Sequence, residues 1–120
     1  DLPYAAIKNK AGNFVAPTLE SVTAAAAGID LGADTDFRVS IVDAAGADAY
    51  PVASFTWLLV RPDMADVAKA KAIKEFLTWM TGPEAAAMAS ELHYAPLPAP
   101  VLELVKTRLA TLSAGGEVMK

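Results

Sequence analysis

The stretch from Asp48 to Asp63, DAYPVASFTWLLVRPD, contains the feature that most constrains the fold. From Val52 to Val60 its residues are mostly β-branched, aromatic or aliphatic, and none carries a charge. A strand that is apolar on both faces is typical of the interior of an α/β sheet, where helices cover each side. This apolar run, Val52–Val60, therefore predicts a strand with neighbours on both edges and helices on both faces.

The rest of the sequence offers few partners for that strand. Tyr4–Lys8 and Phe14–Ala16 flank a turn with Gly and Asn and predict a short hairpin. Phe37–Val42 alternates like a strand, and one helix precedes it, from the cap Thr18 to Gly28. Parallel pairing needs crossover units of about 30 or more residues. We therefore expect the partners to lie largely outside these residues; a compact α+β domain with a small mixed sheet is the alternative.

Helices are predicted after the apolar run, with no further strand. A buried stripe at 3-3/4 spacing favours a helix from about Asp63 to Met80. A second helix is predicted over Glu84–Leu92, with Ala85, Met88, Ala89 and Leu92 buried. A connector rich in proline, Tyr94–Pro100, leads to a last helix over Val101–Leu112. We expect Gly115-Gly116 to end that helix and the tail to fray.

Composition excludes several classes of function. The formal net charge of the 120 residues is -4, which argues against a nucleic-acid surface. Cysteine is absent, which rules out disulfides, thiolate zinc sites and a cysteine nucleophile. No segment approaches the ~20 apolar residues that cross a bilayer. Asp1–Tyr4 has no signal-peptide pattern and no starting Met, so we expect a mature or trimmed product.

Three stretches carry a family resemblance. They are LPYAAIKNKAGNFVAPTLESVTAAAAG, DAAGADAYPVASFTWLLV and AKAIKEFLTWMTGPEAAAMASELHYAPLP. In this order they resemble the C-terminal part of the phosphate-specific substrate-binding protein of bacterial ABC transporters, the PstS family. The resemblance implies an α/β fold: the C-terminal part of a two-lobe, class II periplasmic-binding-protein-like fold, incomplete as a stand-alone chain.

The resemblance also implies a division of the chain. Residues 1–48 would finish the second lobe, residues 49–54 would cross the hinge, and residues 55–120 would return to the first lobe. The expected hinge residues are Asp48, Ala49, Tyr50 and Pro51. Two lobes that close over a ligand need a few residues that absorb changes in φ and ψ, and Pro51 would limit the swing on one side.

The resemblance further implies a role in phosphate transport. The parent protein would capture inorganic phosphate in the periplasm, or at the cell surface, and deliver it to an ABC transporter permease. The family's phosphate-binding motifs do not occur here, so we expect no direct phosphate ligand, and likewise no cofactor, metal or catalytic residue. This segment would supply framework and hinge. The alternative is an autonomous module that self-associates through its unsatisfied strand edge.

A few local features suggest other sites. Asp30, Asp34 and Asp36 hint at a calcium loop, but glycine and the bidentate acid are not where an EF-hand needs them, so a solvated acidic turn is favoured. Ser90 and His93 lie three residues apart at a helix end and rarely converge for hydrolysis. The remaining candidates have structural interpretations: core packing for Trp57 and Trp79, surface roles for Arg38 and Arg61, and helix capping for Thr18.

Overall fold

The computed structural model describes residues 3–119. Asp1 and Lys120, which bound the predicted segments, and Leu2 lie outside the described residues. The helices and strands are short and follow one another in this order: β1 (Ile7–Lys8), β2 (Phe14–Val15), α1 (Leu19–Ala27), β3 (Asp63–Met64), α2 (Val67–Met80), α3 (Pro83–Glu91), α4 (Ala99–Ala110), β4 (Ser113–Ala114) and β5 (Glu117–Val118). The mixture of helices and strands agrees with the α/β class expected from the sequence.

The predicted hairpin and first helix are confirmed. β1 and β2 pair antiparallel, with Ile7 opposite Val15. Thr18 is the N-cap of α1, and its hydroxyl accepts a hydrogen bond from the backbone of Ser21. The Ser21 hydroxyl accepts in return from the Thr18 backbone at 3.0 Å, which completes a capping box. Two donors at the helix start are thereby satisfied.

The first of two separate cores lies against α1. It consists of small or medium side chains: Ala25, Ala26, Ile41, Ala49 and Ala53. Four of these five residues are alanines, which bury little area each, so α1 approaches the loop segments closely. Phe55 packs at its edge as a partly buried side chain.

The second core joins α2, α4 and the C-terminal strands. It consists of Ala70, Leu77, Leu112, Ala114 and Met119. Ala70 and Leu77 belong to the predicted stripe of α2, whereas the stripe's ends, Val67 and Met80, are exposed. This helix begins at Val67 rather than near Asp63 because Asp66 is its N-cap and accepts from the backbone of Lys69 at 3.0 Å.

The apolar run does not form the strand that its sequence predicts. Residues 52–60 belong to no helix or strand, and within residues 3–119 no segment pairs with them. A strand requires a neighbour for its backbone donors and acceptors. The expectation that its partners lie largely outside these residues stays a prediction.

The predicted strand over Phe37–Val42 is also wrong. Phe37 has a φ of 61°, and Asp43, just after the segment, has a φ of 56°. Both are left-handed conformations that a strand does not contain. Ile41 of this segment is instead buried in the first core. Within the described residues, no strand pairs with the segment.

The predictions of a frayed C-terminal tail and of no further strand are also wrong. β4 and β5 form a hairpin across Gly115 and Gly116, whose φ values are 60° and 86°. Two successive positive φ values define the tight turn that glycine makes without steric cost. β4 also pairs in parallel with β3, so this hairpin joins the part of the chain around the second core. We call the parts of the chain packed around the first and the second core the first and the second body.

Burial on α3 differs from the prediction. Ala85 and Ala89 are half-buried, whereas Met88 and Leu92 are exposed. Pro83 occupies a first-turn position, as its fixed φ favours. The helix packs against α2, and its Met88 and Leu92 remain uncovered by residues 3–119.

The two cores give the molecule an elongated shape. The radius of gyration is 16.6 Å, with principal extents of 51 × 32 × 19 Å, whereas a compact chain of this length has about 14 Å. The apolar run connects the two bodies, and a hydrogen bond from the Thr23 hydroxyl to the Pro96 carbonyl, 3.2 Å long, also joins them. None of the described helices is long and apolar enough to cross a membrane.

His93 ends α3 in a conformation that favours glycine. Its φ is 63°, its N–H donates to the Ser90 carbonyl, and the N–H of Tyr94 donates to the Ala89 carbonyl at 2.8 Å. These two bonds form a Schellman motif. We expect His93→Gly to stabilise the chain by about 1 kcal/mol, because the left-handed conformation costs a residue with a Cβ. Urea unfolding measures the change.

Leu92 provides the matched control. It is exposed and precedes His93, but its φ is -88°, so Leu92→Gly gains nothing and should destabilise the chain by about 0.5–1 kcal/mol. Equal effects of the two glycines would contradict the assignment.

Candidate functional site

The predicted hinge segment is fastened to the hairpin by Asn9. This side chain is 5% exposed, and its amide donates to the carbonyls of Ala47 at 2.8 Å, Ala49 at 3.1 Å and Gly46 at 3.3 Å. Its oxygen accepts from the backbone of Asn13 at 3.0 Å. Asn9 thus links two segments about 40 residues apart.

Further bonds hold the two ends of the hinge segment. The N–H of Tyr50 donates to the Ser21 carbonyl at 3.0 Å, and the carbonyl of Pro51 accepts from Asp43 at 2.9 Å. Ala49 is fully buried in the first core, whereas Asp48 is exposed. The four predicted hinge residues therefore lie on the first body, with backbone held at both ends.

Beyond Pro51 the backbone is held differently. Among the described residues, no backbone hydrogen bond joins residues 52–61 to another segment. Side chains make the connections: the indole N–H of Trp57 donates to the Phe37 carbonyl at 2.8 Å, Ala53 and Phe55 pack in the first core, and Val60 packs against the second. The transition between the bodies thus falls within the apolar run.

Apolar side chains of this run are open to solvent. Leu59 is 99% exposed, and Val52, Trp57 and Leu58 are also exposed. Single exposed apolar residues are common on protein surfaces, whereas a continuous set marks an interaction surface. The run therefore has the composition of a strand buried in a sheet, but several of its side chains are exposed to solvent.

The expectation that both tryptophans pack in the core is wrong. Trp57 and Trp79 are both exposed. The ring of Trp79 stacks on Phe76 at 5.9 Å between centroids, and its indole N–H donates to the Glu84 carboxylate at 3.1 Å. Because Phe76 is exposed too, this side of α2 is a second uncovered apolar surface.

The other candidate residues have local roles. Arg38 donates to Asp36 at 2.7 Å in an exposed ion pair, and hydrogen bonds from Arg38 lower the pKa of Asp36. The Ser90 hydroxyl donates to the Ala86 carbonyl of its own helix. Within residues 3–119, no group of three His, Cys, Asp or Glu side chains forms a potential metal site. Arg61 lines a groove beside Leu59.

Asn9 is the residue that the sequence did not reveal. The sequence places it in a hairpin turn, where Asn is common for local reasons. Its partners lie at residues 46–49, and no spacing rule connects positions so far apart. Asn9 differs from other turn asparagines because its amide is buried. Burial can be seen in the folded chain but not in the sequence.

Comparison with known proteins relates this geometry to a class of ligand-binding proteins. No protein-family model matches the chain. The phosphate-binding protein PstS of Xylella fastidiosa strain 9a5c is 34% identical over 110 residues, covering 92% of this chain and 30% of the relative. PstS of Methanocaldococcus jannaschii is 41% identical over 90 residues, covering 66% and 23%. PstS of Pasteurella multocida is 30% identical over 110 residues, covering 92% and 32%.

Each of these relatives is named a phosphate-binding protein. More particularly, the chain is PstS-like, and the matches are consistent with the C-terminal portion of such a protein. The chain spans between 23% and 32% of the length of these curated relatives.

Removal of the Asn9 amide tests the link to the hinge segment. Asn9→Ala removes a buried amide that donates to three carbonyls. The Gly46 carbonyl keeps the N–H of Ala49 and the Ala47 carbonyl keeps the amide of Asn13, so the Ala49 carbonyl is the one left without a donor among the described residues. We expect the variant to destabilise the chain by about 1–3 kcal/mol in urea unfolding. Asn13→Ala is the control, because that exposed side chain donates to the Ala47 carbonyl alone. An Asn9→Ala chain as stable as the Asn13→Ala chain would refute the link.

Asp63 predicts a dependence of stability on pH. Hydrogen bonds from the Ser113 hydroxyl and the Gly116 backbone lower its pKa from the ordinary 3.8. Because the folded-state pKa lies below the unfolded one, the stabilisation is complete above 3.8 and is lost as the pH falls through the folded-state value. Urea midpoints of Asp63→Asn should therefore fall less steeply in acid than those of the parent, and Ser113→Ala should reduce the slope in part. Parallel acid profiles in all three chains would contradict this.

Proposed function

We propose that this chain is the framework and hinge portion of a protein that captures inorganic phosphate for an ABC transporter. The observation that carries the proposal is the match of 92% of the chain to relatives named phosphate-binding proteins. The uncovered apolar run supports it independently, because such a segment fits the interior of a larger sheet.

The two separate cores support the proposed division between lobes. Residues 1–48 complete the second lobe, residues 49–54 cross the hinge, and residues 55–120 return to the first lobe of a class II binding-protein fold. The first core contains residues up to Ala53, and the second core has Val60 at its edge. A boundary between bodies therefore falls within a few residues of the proposed crossing.

The proposed hinge residues are Asp48, Ala49, Tyr50 and Pro51. Their hydrogen bonds to Asn9, Ser21 and Asp43 attach one end of the crossing firmly to the first body. Motion would then occur on the far side of Pro51, where the described backbone has no hydrogen bonds to other segments. Hinge closure requires a few residues that absorb changes in φ and ψ, and within the proposed crossing the backbone of residues 52–54 is the part without such bonds among the described residues.

The direct phosphate ligands belong to the part of the protein outside these residues. The whole protein works in the periplasm or at the cell surface, and its partner is a membrane permease. The whole protein binds phosphate and does not act as an enzyme.

Self-association is the second candidate. The open apolar run favours it, because an unpaired segment of this composition is a template for pairing with another chain. Sedimentation measures this directly: a monomer at micromolar concentrations would exclude it.

Phosphate binding by a chimaera tests the leading proposal. This chain replaces the matched 110-residue region of the Xylella fastidiosa relative, and calorimetry follows titration with inorganic phosphate. We expect the chimaera to bind phosphate, while the relative without that region and the 120-residue chain alone do not. A folded chimaera without phosphate binding, or tight binding by the chain alone, would overturn the proposal.

A further inference from the structure

The first and the second body are joined at two separate places. One connection is covalent and runs through residues 52–60. The other is the hydrogen bond from the Thr23 hydroxyl, on α1, to the carbonyl of Pro96, 73 positions further along the chain. Among the hydrogen bonds of residues 3–119, this is the one that joins a residue before the apolar run to a residue after it. A single tether leaves two bodies free to rotate about it, so a second contact away from the tether restricts their relative orientation.

The hydroxyl of Thr23 does not follow the local pattern of helical hydroxyls in this chain. In a helix, Ser and Thr side chains commonly donate to the carbonyl four residues earlier. Three other helical hydroxyls do so, at 2.7, 3.0 and 2.9 Å: those of Thr78, Ser90 and Thr107. The corresponding acceptor for Thr23 is the carbonyl of Leu19, but its hydroxyl donates to Pro96 instead. The bond therefore reflects how the two bodies lie and not the local preference of the helix.

Both partners of this bond lie on stiff backbone. The acceptor belongs to the connector 94–98, which begins where the N–H of Tyr94 donates to the Ala89 carbonyl at 2.8 Å. The connector ends at Pro98, which is buried and is the N-cap of α4. Proline fixes φ at Pro96 and Pro98, and the donor lies within α1. Because neither partner lies on a flexible loop, the bond restrains whole bodies and not single side chains.

We propose that the Thr23 hydroxyl and the Pro96 carbonyl form a latch that favours one of the orientations that the hinge permits. This inference rests on the hinge of the proposed function. The distance between the two oxygens, 3.2 Å, is longer than the usual ~2.7–2.8 Å for a hydroxyl donor, so the bond is weak. When the bodies move apart, the Leu19 carbonyl offers the hydroxyl another acceptor. The latch therefore biases the orientation of the bodies without locking it.

Distances between two spin labels test the latch on the 120-residue chain without phosphate. Because the sequence contains no cysteine, Ala27→Cys with Arg108→Cys places one label at the exposed end of α1 and the other on α4. We expect one dominant distance in this labelled chain. Thr23→Val keeps the shape of the side chain but removes the donor. It should reduce the ratio of the dominant population to the other populations about two- to tenfold, which is the effect of one ordinary hydrogen bond.

Three further variants separate the latch from a general effect of the substitution. Thr23→Ser retains the hydroxyl and should keep most of the dominant population. Thr78→Val removes a hydroxyl that donates within its own helix and should leave the distances unchanged. Pro96→Gly retains the carbonyl but frees the backbone of the connector, so it should broaden the distances from the other side of the bond. Circular dichroism confirms that each variant folds, and Pro96→Gly provides the test if Thr23→Val does not.

Several results would overturn the latch. They are a labelled chain without a dominant distance, equal distributions in the Thr23→Val and Thr78→Val chains, and an equal loss of the dominant population in Thr23→Ser and Thr23→Val. If Thr23→Val does not fold, unchanged distances in Pro96→Gly would have the same meaning.

The chimaera tests the proposed function separately. If the chimaera binds phosphate and Thr23→Val leaves the distances unchanged, the latch fails and the phosphate proposal stands. If Thr23→Val alters the distances but the chimaera binds no phosphate, the latch stands and the phosphate proposal fails.

Discussion

The need of every backbone donor and acceptor for a partner governs this molecule. The apolar run has the side chains of a sheet interior, yet no described segment pairs with its backbone. Each body therefore organises itself separately, one around α1 and the other around α2 and α4. The exposed leucines and the open groove lie on this unpaired run.

The two bodies are held together internally by different means. The second has larger side chains, such as Leu77, Leu112 and Met119, packed between helices and a small sheet. The first relies on alanine contacts and on directional bonds from Asn9 and Ser21. The proposed hinge residues, 48–51, lie on the first body, where hydrogen bonds fix orientation more than packed volume does.

Local signals in the sequence predicted local structure well. The Thr18 cap, the hairpin around Gly12 and the Pro83 restart are confirmed, because each depends on a few neighbouring residues. Predictions that required a distant partner were wrong: within residues 3–119, no strand pairs with Phe37–Val42, and Trp57 is exposed. The groove at Arg61 depends on how α2 lies against the run, which no sequence spacing specifies.

The alanine-rich first core has a consequence for motion. Alanine has no side-chain rotamers to order, so α1 and the loop segments pack closely at little cost in side-chain entropy. The hydrogen bonds from the Asn9 amide to the Ala47 and Ala49 carbonyls then fix the orientation of the packed segments. In the proposed hinge movement, the first body would therefore change position as a unit and keep its internal contacts.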